Sequence, residues 1–307
     1  MSSNIENFLQ KTGVGSTLID AVVEFREKYP LDEEQKSRVI EPSFVYHGVD
    51  VWSMAISALL QGENILLSGP KATGKNVLAD NLAYVFNRPS YNISFHVNTD
   101  SASLIGTDTF EDNTVKLRRG PVYQCAVNGG FGIFDEINMA KNDAVSVLHS
   151  TLDHRKIIDI PGYEKIKLSE ATRFIGTMNY GYAGTKELNE ALVSRFLVVD
   201  MPAVDEEVLR IILTNTFDNI TEDAVKQFSG LFLDLQLKSL NGEISTKPVD
   251  LRGLLSAVKS MRVGLAPSLA IRMGLTNKSF DVFEREIIDD VVLTRIPSSW
   301  AVSNVFN

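Results

Sequence analysis

The sequence predicts an α/β domain, with a parallel sheet between helices, followed by a small all-helical domain. Three observations predict it. Short apolar runs of strand type recur at Ile65 to Leu67, Ile93 to Val97, Phe131 to Phe134, Arg173 to Met178 and Phe196 to Val199, with helix-type patterns between them. A glycine-containing stretch, Gly69 to Gly74, joins the first run to an amphipathic helix pattern. After Pro202 the strand signals stop, and residues 204–295 are mostly helical in pattern.

These signals divide the chain into an N-terminal helical segment (1–40), an α/β core (41–201) and a helical domain (202–307). In the first segment Ile5, Phe8, Leu9 and Leu18, then Val22, Val23 and Phe25, have the spacing of short amphipathic helices, and Pro30 breaks the pattern. A helix is expected over Val51 to Leu60, ending at Gly62. Another is expected over Lys75 to Phe86, with Val77, Leu78, Leu82 and Val85 on one face. Residues 100–120 are rich in Thr, Asp, Gly and Arg, which predicts a loop holding an inserted hairpin or a broken helix. Further helices are expected over Lys141 to Leu152 and Leu188 to Arg195, and a hairpin over Ile157 to Leu168 turning at Pro161-Gly162. Residues 238–248 read as a loop.

With 307 residues, 44% hydrophobic and 22% charged, the chain has an ordinary globular composition. Its net charge of -9 argues against non-specific binding to nucleic acid or to an anionic membrane. Cys125 is the single cysteine, so no intrachain disulfide forms, which fits a reducing compartment. The polar start has no signal-peptide pattern, and no apolar run approaches the roughly 20 residues of a membrane span. A cytoplasmic protein is expected. His149 and His154 are five residues apart, which does not put them on one helix face, so no zinc site is expected.

The segment Gly69-Pro70-Lys71-Ala72-Thr73-Gly74-Lys75-Asn76-Val77 fits G-x-x-x-x-G-K, the Walker A phosphate loop, between an apolar strand and a helix. Glycines let the backbone wrap a phosphate with its N–H groups pointing inward, and the helix adds its positive N-terminal end. Lys75 supplies charge to the β and γ phosphates. Asn76 stands where Ser or Thr usually ligates Mg²⁺; its amide oxygen can bind a hard cation directly, or leave the ion more weakly held.

About sixty residues on, Gly132-Ile133-Phe134-Asp135-Glu136 is a buried-type strand ending in two acids, a Walker B pattern. Asp135 is the candidate Mg²⁺ ligand and Glu136 the candidate general base for water. The strand Phe174 to Met178 ends in Asn179, which a parallel sheet would bring out between the two motifs; a plain turn asparagine is the alternative. Arg195 sits among apolar residues before the last strand. It needs a partner, either a neighbouring subunit's phosphate or an acid of this chain such as Glu190.

These four elements, in this order, resemble the AAA+ ATPases. The similarity is strongest to the MoxR family and its CbbQ/NirQ/NorQ and gas-vesicle GvpN relatives, the dynein-related AAA group. It spans roughly residues 40–265 and rests on Leu66 to Pro70 through Lys75, Phe134-Asp135-Glu136-Ile137-Asn138, Gly176-Thr177-Met178-Asn179, Asn189 to Phe196, and the Arg118-Arg119-Gly120-Pro121 run. The resemblance implies that ATP and Mg²⁺ are bound and ATP is hydrolysed. It implies that Asn179 is sensor 1, that Arg195 is the arginine finger reaching a neighbour's ATP, and that Arg252 is sensor 2 on a lid helix, with Arg262 as the other candidate. It places a helix-2 insert at 103–120 and a pre-sensor hairpin at 155–170; Asp112, Arg118 and Arg119 of the insert either touch a client or belong to a solvated loop. It further implies a hexameric ring, a protein partner carrying a von Willebrand factor A domain, and a chaperone or remodelling role. Asn98 is the candidate to hold Glu136 at rest. Asn76, Lys71 and the short stretch around Arg252 depart from the family pattern. Two other readings stay open: a McrB-like nucleotide-driven motor, and a weakly hydrolysing, nucleotide-gated assembly subunit.

Overall fold

The computed structural model describes residues 2–111, 113–160, 162–180 and 188–307. Asp112 and Pro161 lie outside the described residues. The chain forms two compact units, one of Met1–Pro70 with Gly74–Pro202, the other of Lys71–Thr73 with Ala203–Asn307.

Among the described residues the first unit has nine strands: β1 (Ile65–Gly69), β2 (Ser90–Ser94), β3 (Gly106–Glu111), β4 (Thr114–Arg119), β5 (Phe131–Asp135), β6 (Ile157–Ile158), β7 (Ile166–Lys167), β8 (Arg173–Asn179) and β9 (Leu197–Asp200). Five of them form one sheet in the order β2-β5-β8-β1-β9. Each neighbouring pair is parallel.

The strands read as continuous apolar runs because the central ones are buried on both faces. Alternate side chains go to opposite layers. Ile65 and Leu67 of β1, Phe131 and Ile133 of β5, and Ile175 of β8 join one core with Trp52, Leu78 and Phe86. Leu66, Phe134 and Phe174 join the other with Val122, Cys125 and Leu148. The N-terminal helices Ser2–Lys11 and Ser16–Lys28 deliver Leu9, Val22 and Phe25 to the first of these cores.

Three elements differ from expectation, each for a reason of hydrogen bonding. β2 starts at Ser90 rather than Ile93, because its ladder with β5 runs from Ser90 opposite Phe131 to Ser94 opposite Asp135. The helix expected over 141–152 is split into Asn142–Ser146 and His149–Leu152, preceded by a single 3₁₀ turn at Ile137–Met139. Around the split, Leu148 N–H donates to Val145 O and Thr151 N–H to Leu148 O, the tighter three-residue pattern. The helix expected over 188–195 is reduced to Glu190–Val193, capped by the Asn189 side chain, because buried Phe196 turns the chain into β9. Residues 100–120 contain a short helix, Ser101–Ile105, capped by Asp100, and then the β3-β4 hairpin. β6 and β7 pair antiparallel in the second hairpin.

The second unit is helical, with its longest segments at Glu206–Thr216, Glu222–Leu240, Leu251–Arg262, Pro267–Gly274 and Val282–Arg295. Leu209, Phe228, Phe232, Leu254, Ile271 and Ile288 form its own core. Asp205, Thr221 and Asp281 accept from backbone N–H groups in the first turns of three of these helices, which satisfies donors that would otherwise be orphaned.

Gly132 tests the packing of the sheet. A Cβ there would lie 2.5 Å from the Phe174 ring, which stacks on Phe134 at a centroid distance of 5.0 Å. Gly132→Ala is therefore expected to destabilise the first unit by about 1–3 kcal/mol in denaturant unfolding, by overpacking an interior that cannot yield. A change below about 0.5 kcal/mol would contradict this packing.

Candidate active site

The acidic and amide side chains of β5 and β8 stand at the carboxyl ends of the strands, Asp135 and Asn179, while buried Arg173 opens β8 at its other end. Because β8 lies between β5 and β1, three functional segments reach one edge of the sheet together. The register sets Gly69 of β1 opposite Asn179 of β8. Phe134 of β5, one residue before the acid pair, lies opposite Gly176 of β8.

The phosphate loop leaves β1 at Gly69, where a Cβ would come within 2.6 Å of the Met201 carbonyl oxygen. Only glycine fits that approach. The loop contains two left-handed residues, Ala72 at φ 61° and Gly74 at φ 84°. Gly74 adopts this without cost, whereas Ala72 carries local strain. Lys75 opens the helix Lys75–Val85 and is buried. Its Nζ donates to Gly69 O at 3.0 Å and Pro70 O at 2.6 Å, so the ammonium folds back over its own loop. Burial lowers its pKa to about 8, opposed by the negative charges of Asp135 and Glu136. Asn76 is half-buried on the first turn of the same helix.

Asp135 closes β5, and Glu136 follows with a left-handed backbone, φ 53° and ψ 46°. This turn stops the strand and leaves the Glu136 side chain exposed. Asn179 Nδ2 donates to Glu136 Oε1 at 3.3 Å. Asn98 does not fill the place expected of it: its backbone N–H donates to His96 Nδ1, and Glu136 is held by Asn179 instead. The chain leaves β2 into the loop of Asn98, while β8 carries Asn179 directly beside β5.

Three further hydrogen bonds have no counterpart in the sequence expectations. The Thr177 hydroxyl donates to Asp135 Oδ1 at 2.8 Å and accepts from the Glu136 N–H at 3.2 Å. Asn138 Nδ2 donates to Asn179 O at 3.3 Å, tying the turn after β5 to the end of β8. The signal available in the sequence was a buried-type strand carrying Thr177 two residues before Asn179.

The donor set suits a hard cation that keeps phosphate and water ligands. Among the described residues no group of three or more His, Cys, Asp or Glu could hold a metal. One carboxylate, Asp135, is oriented through Oδ1, and an amide, Asn76, stands at the head of the adjoining helix. Mg²⁺ commonly binds through one or two carboxylates plus substrate phosphates, so these residues fit it.

Arg195 is held within the first unit. Its Nε donates to His149 O at 3.1 Å and its Nη1 to Ala191 O. The acid facing it is Asp153, with Nη2 at 3.8 Å from Oδ2, rather than Glu190. Arg155 binds the same carboxylate more closely, Nη2 to Oδ2 at 2.6 Å. Arg252 is exposed on the first turn of Leu251–Arg262, and Arg262 on its last; both belong to the second unit.

The Arg155 hydrogen bonds are the main cause holding the Asp153 carboxyl at about 2, below its ordinary value. A carboxylate depressed in the folded state stabilises the fold above its unfolded value near 3.8 and loses that contribution as pH falls towards 2. The stability gap between the wild type and Asp153→Asn, read by thermal unfolding, should be open at pH 6 and narrow between about pH 4.5 and 3. A gap that stays constant over that window would contradict the assignment.

The chain is similar to several known proteins. The AAA domain (dynein-related subfamily) matches residues 64–196. The protein YojN of Bacillus subtilis (strain 168), described as uncharacterised, is 30% identical over 291 residues, covering 93% of this chain and 95% of that protein. The uncharacterised protein SERP0979 of Staphylococcus epidermidis is 30% identical over 238 residues, covering 75% of this chain and 90% of its own length. A crystal structure of a candidate ATPase from Cytophaga hutchinsonii aligns with 100% of this chain and 97% of its own, at 18% identity and a TM-score of 0.43. None of the described helices is long and apolar enough to cross a membrane. The chain carries an AAA+ ATPase domain of the dynein-related, MoxR-like subfamily at residues 64–196.

Proposed function

We propose that the protein binds ATP with Mg²⁺, hydrolyses it to ADP and phosphate, and acts as one subunit of a ring that remodels a partner protein. The observation that carries the proposal is the pairing of Glu136 with Asn179 at the sheet edge shared with the phosphate loop. A nucleotide-binding loop alone can support simple binding. A carboxylate exposed beside that loop, and oriented by an amide, is what water activation requires.

In this reading the backbone N–H groups of residues 71–76 cradle the phosphates and Lys75 turns its ammonium from Gly69 O and Pro70 O to the β and γ oxygens. Asp135 and Asn76 would hold the Mg²⁺, which when bound neutralises charge on the phosphate oxygens. Glu136 takes a proton from water as the water oxygen bonds to the γ phosphorus and the bond to the bridging oxygen breaks, leaving ADP and phosphate. Asn179 orients Glu136 and the water. Arg195 from a neighbouring copy completes the charge around the transferring group, and Arg252 of the helical domain is the sensor 2 arginine.

The MoxR-like subfamily supports the larger assignment: a hexamer of identical subunits, a protein client, and a partner with a von Willebrand factor A domain. The net charge of -9 favours a protein client over direct contact with nucleic acid, and a cytoplasmic setting is the expected one.

Glu136→Gln is expected to keep ATP affinity within about 3-fold and to lower kcat by on the order of 10²- to 10⁴-fold, read by phosphate release. Normal turnover would sink the assignment of the base. Arg195→Ala should lower kcat by about 10²-fold or more while leaving nucleotide affinity of the dilute protein within about 3-fold. Unchanged turnover in that variant would remove Arg195 from the site.

A further inference from the structure

We infer that Thr177 is a positioning residue for hydrolysis: its one hydroxyl fixes Asp135 and Glu136 relative to each other. The inference rests on the hydrolytic reading above and goes beyond it by giving a role to a residue between the recognised motifs.

The direction of the hydrogen bonds follows from chemistry. A hydroxyl has one proton to give. The Glu136 backbone N–H can only donate, so at 3.2 Å the Thr177 oxygen must accept from it. The proton is then free for Asp135 Oδ1, which accepts it at 2.8 Å. One oxygen atom thereby satisfies the backbone of one acid and the side chain of the other.

Each bond has a separate consequence. The bond to Oδ1 commits one carboxylate oxygen of Asp135 and sets the plane in which Oδ2 is presented to a cation. The bond from the Glu136 N–H holds a left-handed turn at φ 53°, which a residue with a Cβ does not favour by itself. That turn brings the Glu136 carboxylate to Asn179 on the same strand as Thr177. Glu136 is thus gripped from β8 at two places, its N–H by Thr177 and its Oε1 by Asn179.

Thr177 itself cannot move to accommodate a different arrangement. It is 1% exposed and sits opposite Leu67 in the parallel ladder with β1.

The test compares Thr177→Val, which keeps the shape and removes the hydroxyl, with Thr177→Ser, which keeps the hydroxyl. Steady-state phosphate release from ATP is measured with amide exchange of the segment 131–139, read by mass spectrometry in the absence of nucleotide. Thr177→Val is expected to lose about 10- to 100-fold in kcat with KM for ATP within about 3-fold. Its 131–139 segment should exchange faster, because the Glu136 N–H has lost its acceptor. Thr177→Ser should retain kcat within about 3-fold of the wild type and exchange as the wild type does. The inference is overturned if Thr177→Val matches the wild type in kcat and exchange, or if Thr177→Ser is as slow as Thr177→Val. Should Thr177→Val not fold, Thr177→Ser against Thr177→Ala makes the same comparison with the same two outcomes. If the wild type itself releases no phosphate, the hydrolytic reading fails, while the exchange measurement still decides whether Thr177 holds the Glu136 turn.

Discussion

Burial of the central sheet on both faces constrains everything else in the first unit. β1, β5 and β8 have apolar side chains in two opposite cores, so no charged group can stand along their length without heavy desolvation. Asp135 and Asn179 stand at the carboxyl ends of β5 and β8, and the phosphate loop leaves the carboxyl end of β1. Since the three strands are parallel and adjacent, those ends coincide at one edge. The phosphate loop, the acid pair and Asn179 are neighbours for that reason, although they are far apart in the chain.

At this edge burial and charge oppose each other. Lys75 is desolvated, which favours its neutral form, while Asp135 and Glu136 favour the ammonium. The side chain donates to two carbonyls of its own loop. The acids are tied to β8 through Thr177 and Asn179. The site is thus built from pairs of strands, and the loop supplies the place where a phosphate group would enter. Arg195 is oriented separately, by two carbonyls and by Asp153, whose stronger partner is Arg155.

Much of this was legible in the sequence. Gly69 to Lys75 and Ile133 to Glu136 are contiguous, and each depends on local backbone chemistry, so the motif and its surroundings coincide in the chain. The alternation of apolar strands with helices, and its end near Pro202, gave the α/β core and the helical region after it. What could not be read depends on contacts across the sheet. The start of β2 is set by its register with β5, and nothing local in Ser90 to Ile93 specifies it. Thr177 is a β-branched residue in a buried strand and looks like packing until Asp135 and Glu136 are placed beside it. Asp153 faces Arg195 across 42 positions of sequence, whereas Glu190 was merely nearby in the chain.

The central claim is a hydrolytic site formed by Lys75, Asp135, Glu136 and Asn179 of one copy and completed by Arg195 of the next. A direct measurement is ATP turnover in a mixture of two separately inactive variants, Glu136→Gln and Arg195→Ala. In a ring with head-to-tail interfaces, random mixing leaves about a quarter of the sites with both residues intact. Turnover that rises well above that of either variant alone is the predicted result. Turnover that stays at the level of the separate variants, in a mixture shown to have assembled, would contradict a shared site.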